Sequence, residues 1–200
     1  MLENRLSVKP AFTTKQIVTI GLLSALAYGL MLIHLPFKFL GFLELEFSDV
    51  PAIIASLAFG PVSGIMVELI KNIIKVITAT TTGGVGELAN FLISACYILP
   101  LGYLFHKLKG KYKTLISFSV GIFGFILAGI VVNYFITVPL YANLFGGMNV
   151  VVGAASATIP LIKDLGTIVI LGITPFNLVK GIMISVVGFM VYKTFHKSLI

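Results

Sequence analysis

The sequence predicts an all-α membrane protein: a bundle of six transmembrane helices with a short second helix, and outward loops capping a ligand pocket. Three observations predict it. Hydrophobic residues are 58% of the 200 and charged residues only 10%, against roughly 25% charged in a soluble domain. Mean hydropathy is +1.09, and the apolar residues fall into long runs divided by turn-forming or basic segments. One such run carries a polar stripe. In FSDVPAIIASLAFGPVSGIMVELIKNIIK, residues 47–75, a break at Gly60-Pro61 precedes Glu68, Lys71, Asn72 and Lys75. Spacings of three and four place these on overlapping parts of one helical face. Ionisable groups are costly in hydrocarbon, so such a stripe faces an interior or a cavity and acts there. The length suits one integral membrane domain, residues 1–200.

The elements follow in order. A first apolar run covers about 14–36 and ends in His34, Pro36 and Lys38. Residues 1–13 are polar and lack a small-residue cleavage site, so this run is not read as a removable signal. Ser48 and Asp49 ahead of Pro51 look like a helix start, a polar cap with proline in the first turn. That second helix, about 49–59, is too short to cross roughly 30 Å of hydrocarbon unaided and is expected inside the bundle or oblique. A third runs from about Pro61 to Ala79, a fourth over 87–107 and a fifth over 114–138. A long connection from Pro139 to Thr174 follows, and the sixth helix opens near Pro175 and ends near Tyr192.

Charge orients the bundle. With six spans, one side holds Arg5, Lys9, Lys15, Lys107, Lys109, Lys111, Lys113, Lys193 and Lys197, nine of the fourteen cations. The other side holds Glu44, Glu46, Asp49 and Asp164. The positive-inside rule then places both termini in the cytoplasm and turns 37–47, 80–86 and 139–174 outward. These three segments could form a lid over a pocket, or be ordinary loops; the apolar length of the last favours the lid.

Several chemistries are excluded or unsupported. There is no GxxxxGK loop, no HExxH spacing among His34, His106 and His196, and no GxSxG elbow. With Cys96 the only cysteine, neither a zinc site nor an internal disulfide is expected, and that thiol reads as a small buried hydrophobe. Arg5 is the only arginine and no basic run interleaves with aromatics, so nucleic-acid binding is not expected. Neither catalysis nor a cofactor is indicated. Solute movement would need an ion gradient or a partner protein.

The polar residues within the spans converge. Glu87, Asn90, Asn133, Asn177 and Lys180 all fall in the outer half of this topology, with Lys71 beneath them. They offer amide and carboxylate partners for hydroxyls and a cation or two for carbonyl oxygens. Tyr28, Phe47, Phe91, Tyr134 and Phe176 could supply flat walls. The expected ligand is amphipathic, with a flat ring at one end and a polyol at the other. The residues alone do not name it.

A resemblance carries further. The strings LEFSDVPAIIASLAFGPVSGIMVELIKNIIK, GELANF, NYF and TPFNLVKG resemble the riboflavin-specific S components of energy-coupling factor transporters. SDVPA, FGP with a following VE-x-x-KN, and PFN-x-x-KG occur in the family's order and spacing, and the similarity runs from the first helix to the sixth. The resemblance implies a vitamin-binding subunit of a bacterial plasma membrane that captures riboflavin and has no motor of its own. Its implied partners are a transmembrane coupling subunit and two cytosolic ATPases. Glu87, Asn90, Asn133, Asn177 and Lys180 match ligand contacts, and Leu45, Glu46 and Phe47 match the outward loop that covers the ligand. Glu68, Lys71 and Asn72 match as well, either as ligand contacts or as an internal polar network. The 139–174 connection has no recognisable motif.

The first helix carries Gly21, Ala25 and Gly29 at intervals of four, a small-residue ridge that lets another helix approach closely. The resemblance implies that it meets the coupling subunit; packing within the chain is the other reading. Two further functional readings stay open, an S component for another vitamin such as thiamine, and a small gradient-driven carrier. Thiamine, a cation, would sit poorly beside Lys180, and the chain has no tryptophan to stack on it.

Overall fold

A ten-residue helix with almost every side chain buried is the axis around which the chain folds. The structure, a computed structural model, describes residues 12–33 and 39–199, with the side chains of 196–199 excepted. Arg5, Lys9, the predicted span end at His34, Pro36 and Lys38, and the side chains of His196 and Lys197 lie outside that description.

Helix α1 spans Thr14–Met31 and opens with a capping box, in which Gln16 N donates to Thr13 Oγ1 and Thr13 N to Gln16 Oε1. Helix α2, Val50–Phe59, buries Val50 through Leu57, the all-round apolarity of a helix with no solvent face. At 1.5 Å per residue it reaches only about 15 Å, so it lies inside the bundle, as its length predicts. Gly60, at φ 99°, turns the chain and Pro61 starts α3, Pro61–Ala79. Helix α4 covers Val85–Lys107. Around α2 pack α1, α3, α4 and the last helix. Two glycines set that distance: a Cβ at Gly64 would lie 2.7 Å from the Ala52 carbonyl, and one at Gly188 would lie 2.9 Å from Ile53 Cγ2.

The chain beyond Val132 departs from expectation. The fifth helix does not end near 138. It passes through a π-helical turn at Asn133–Thr137 and continues to Leu144, giving α5 as Lys113–Leu144. Pro139 has no N–H for the i→i−4 ladder, and the π turn just before it already loosens that ladder. The expected long connection therefore shrinks to 145–164, most of it helix α6, Met148–Thr158. The last helix, α7, opens at Leu165–Thr167, bulges into π geometry over Ile168–Ile173, and continues through Pro175 as Thr174–Leu199. Its cap is Asp164, whose Oδ1 accepts from Thr167 N at 2.8 Å; that N–H, foremost, holds the Asp164 carboxyl below its usual range. The Asp164-x-x-Thr167 spacing was the sequence signal for this start.

Four helical stretches are long and apolar enough to cross a membrane: Thr14–Met31, Val85–Lys107, Lys113–Leu144 and Leu165–Phe195. With α2 and the charge-bearing α3 they make the six helices of the bundle, and no strand is present among the described residues. Two apolar cores result. One surrounds α2 with Tyr97, Leu101, Phe118 and Ile184. The other, at the opposite end, joins Leu40 to Tyr141, Val151, Ile162 and Ile173. Cys96 is exposed on α4 and is not the buried hydrophobe expected; it shares the outer surface with Leu99 and Tyr103.

Candidate functional site

Between the two cores lies a cavity of about 610 Å³. Its floor and sides come from Ala89, Asn90 and Ile93 of α4, Phe125 and Asn133 of α5, and Asn177 and Lys180 of α7. The cover comes from residues 41–44 with Glu46, and from Val150, Val151 and Ala154 of α6. Leu40 pins this cover. It is fully buried with φ 54°, the only positive φ outside glycine among the described residues, and its side chain presses where a Cβ on Gly172 would stand. Phe39 stacks on Phe176 with ring centroids 5.7 Å apart.

Beneath and beside the cavity runs a closed ring of polar side chains. Lys71 Nζ, with no exposed surface, lies 2.8 Å from Asp49 Oδ1 and from Glu68 Oε2, and donates to Ser48 Oγ at 2.9 Å. Ser94 Oγ also donates to Asp49 Oδ1, at 2.9 Å. Lys180 Nζ stands 3.3 Å from Asp49 Oδ2 and 3.4 Å from Glu46 Oε1. Asn90 Nδ2 donates to Glu46 Oε1, Asn72 Nδ2 to Asn90 Oδ1, and Asn72 Nδ2 again to the Glu68 carbonyl. The ring thus joins α2, α3, α4, α7 and the 39–49 loop. Opposite charge and hydrogen bonds offset the cost of burying these groups, with Glu68 Oε1 left without a hydrogen bond among the described residues. Asp49 precedes α2 but makes no side-chain cap. The expected Ser48 and Asp49 caps are replaced by contacts to Lys71, because an ammonium buried without partners costs more than an uncapped N–H.

Six of the nine predicted ligand contacts line the cavity: Glu46, Glu87, Asn90, Asn133, Asn177 and Lys180. Leu45, Phe47 and Lys71 do not: Phe47 is 37% exposed, and Lys71 sits in the ring below. The polar stripe of α3 thereby divides, with Glu68, Lys71 and Asn72 in the internal network and Lys75 on the cavity wall. Glu87 is held by the hydroxyls of Thr80 and Thr82, each 3.1 Å from Oε2. Asn133 Nδ2 donates to the Gly129 carbonyl, while Asn177 Nδ2, also buried, has no partner. Of the expected flat walls only Phe176 lines the cavity; Phe42, Phe125, Tyr141 and Phe145 supply the others. Tyr28 instead hydrogen-bonds Thr78, Tyr134 packs edge-on to Phe135, and Phe91 lines a separate apolar groove on the bundle's side. Phe42, Tyr141 and Phe145 were missed because they lie on the 39–49 loop and past Pro139, where the sequence reads as a long connection without a recognisable motif.

Gly21, Ala25 and Gly29 are all exposed on α1, and a Cβ on Gly21 or Gly29 would meet nothing within 4 Å. The buried face of α1 is Ile20, Ser24, Ala27 and Met31. Packing among the described residues therefore does not use the ridge. No cluster of three metal-ligating side chains occurs among the described residues.

The family model for the substrate-specific component of ECF transporters matches residues 15–192. The chain is 37% identical over 183 residues to the riboflavin transporter FmnP of Bacillus subtilis, covering 89% of this chain and 90% of that one. It is 37% identical over 187 residues to the riboflavin transporter RibU of Staphylococcus aureus, covering 90% and 89%. A solved structure titled as the S component of a bacterial ECF transporter superposes with a TM-score of 0.73 at 31% identity, covering 92% of this chain and 97% of that one. The long apolar helices, the buried polar ring beneath a covered cavity and these matches have one reading: the chain belongs to the ECF transporter substrate-specific component family.

Proposed function

We propose that the chain is a riboflavin-binding membrane subunit that captures the vitamin from outside the cell and passes it inward with a coupling subunit and two cytosolic ATPases. The observation that carries this reading is the cavity itself. Its volume falls within the roughly 300–1,000 Å³ of small-molecule pockets, and its lining joins apolar and aromatic walls to a few convergent polar groups. A flat ring would lie against Phe125, Phe176 and Tyr141, while hydroxyls would meet Glu87, Asn90 and Asn133. Asn177 adds another amide to the lining, its Nδ2 turned against Gly129 of α5. Relatives of similar length named as riboflavin transporters support the choice of ligand.

The cover lies at the end of the bundle away from the Lys107–Lys113 basic turn. The positive-inside rule puts that turn and both termini in the cytoplasm, so the cavity opens outward. The chain carries no phosphate-binding loop, which leaves energy supply to partners. The exposed ridge of α1 is the surface suited to the coupling subunit, since small residues let a second helix approach without displacing side chains. Binding and transport are the roles proposed, with no reaction catalysed.

Titrating purified protein in detergent with riboflavin tests the ligand. Saturable quenching of flavin fluorescence, unaffected by excess thiamine, is the expected result. Folded protein that leaves micromolar riboflavin unquenched would reject the reading, and competition by thiamine would redirect it to another vitamin.

A further inference from the structure

Seven charged side chains are buried among the described residues, and six of them have partners. Glu46, Asp49, Glu68, Lys71 and Lys180 belong to the polar ring, and Glu87 is held by two threonine hydroxyls. The seventh is Lys75. It lies one helical turn beyond Lys71 on α3, is 9% exposed, and lines the cavity. It makes no hydrogen bond or ion pair with any described residue.

An ammonium has three donors and no acceptor, so only oxygen acceptors can satisfy it. Burial without them is unfavourable, and no packing role demands a charge at this site. Lys180, the other cation of the cavity, is already balanced by Glu46 and Asp49. A ligand oxygen approaching Lys180 competes with two carboxylates; one approaching Lys75 competes with none. We propose that Lys75 is a ligand-binding residue of this cavity, its ammonium kept free of carboxylates to receive an oxygen acceptor of the bound molecule, a ring carbonyl or a side-chain hydroxyl. The inference rests on the riboflavin reading and adds to it a contact that neither the motifs nor the polar ring assign.

A ligand-binding role for Lys75 has a thermodynamic signature that a packing role lacks. Removing an uncompensated buried charge stabilises the empty protein, whereas removing a ligand contact weakens binding. Function and stability then move in opposite directions.

The test compares wild type, Lys75→Met and Lys75→Arg by flavin titration and by thermal unfolding with and without riboflavin. Lys75→Met should weaken riboflavin binding by about tenfold or more, the range for an unmatched polar contact. Its ligand-free melting temperature should rise and its ligand-induced shift should shrink. Lys75→Arg should bind within a few-fold of wild type. Lumichrome, a ring without the polyol, identifies the acceptor. Equal losses for both ligands assign a ring carbonyl, and a loss confined to riboflavin assigns a hydroxyl; either supports the proposal. Wild-type affinity in folded Lys75→Met would overturn it. So would a lowered ligand-free melting temperature in that variant, which would make Lys75 a structural element. Failure of the wild-type protein to bind riboflavin would instead overturn the parent reading, and the wild-type titration alone distinguishes the two.

Discussion

Lys71 of α3 and Asp49 at the head of α2 form an ion pair of 2.8 Å with neither side chain exposed. Asp49 then reaches Lys180 of α7 through its other oxygen, at 3.3 Å. One carboxylate therefore links the inner network to a cation on the cavity wall.

Breaking that pair should be severe. Lys71→Met leaves Asp49 and Glu68 buried without their shared cation, and the loss of one partner of a buried pair costs about 3–5 kcal/mol. The expected result is a sharply lower melting temperature in detergent, with riboflavin affinity reduced as well. A melting temperature equal to wild type would show that the network contributes nothing to stability.

Asn177 should behave differently. Its amide nitrogen has no protein partner to lose, so Asn177→Ala should leave the ligand-free melting temperature nearly unchanged. Riboflavin affinity should fall, by about 1–3 kcal/mol where the ligand loses a hydrogen bond to this side chain. Calorimetric or fluorescence titration beside a melting curve separates the two effects; unchanged affinity would remove Asn177 from the ligand contacts.

Gly64 tests the close packing of α2. A Cβ there would stand 2.7 Å from a backbone carbonyl and 2.8 Å from Ser56 Cβ, neither of which can swing aside. Gly64→Ala should destabilise by about 1–3 kcal/mol, as overpacking does. A variant as stable as wild type would mean that α2 and α3 separate at little cost.

Ala25→Trp addresses transport. The residue is exposed on a ridge left uncovered by the described residues, so riboflavin affinity of the isolated subunit should be nearly unchanged. Co-purification with the coupling subunit and ATP-dependent uptake should both be lost. Retained uptake would show that the partner docks elsewhere.

Lys180 itself sits between two carboxylates, and Lys180→Ala should weaken riboflavin binding by roughly tenfold or more, since 1.4 kcal/mol is one decade. Wild-type affinity in this variant would leave Lys180 with a role in the ring alone.

The membrane class, the breaks at Gly60-Pro61 and after Ala79, and most of the polar residues that line the cavity are legible in the amino-acid order alone. These are local properties: hydropathy, proline, glycine and the spacing of charges act within a turn or two. The division of the polar residues was not local. Lys71 and Lys75 are one turn apart on the same face; Glu68 reaches Lys71 within the helix, but the arrival of Asp49 at the head of α2 is what ties Lys71 into the ring, and no carboxylate arrives beside Lys75. The helices past Pro139 and before Pro175 were hidden for a related reason. Proline reads as an end in isolation, yet here each π turn, packed against the other, carries the helix across it, and Leu40 packs on the second at Gly172. Burying α6 and the 39–49 loop over the cavity required both extensions, and contacts between distant segments decided them.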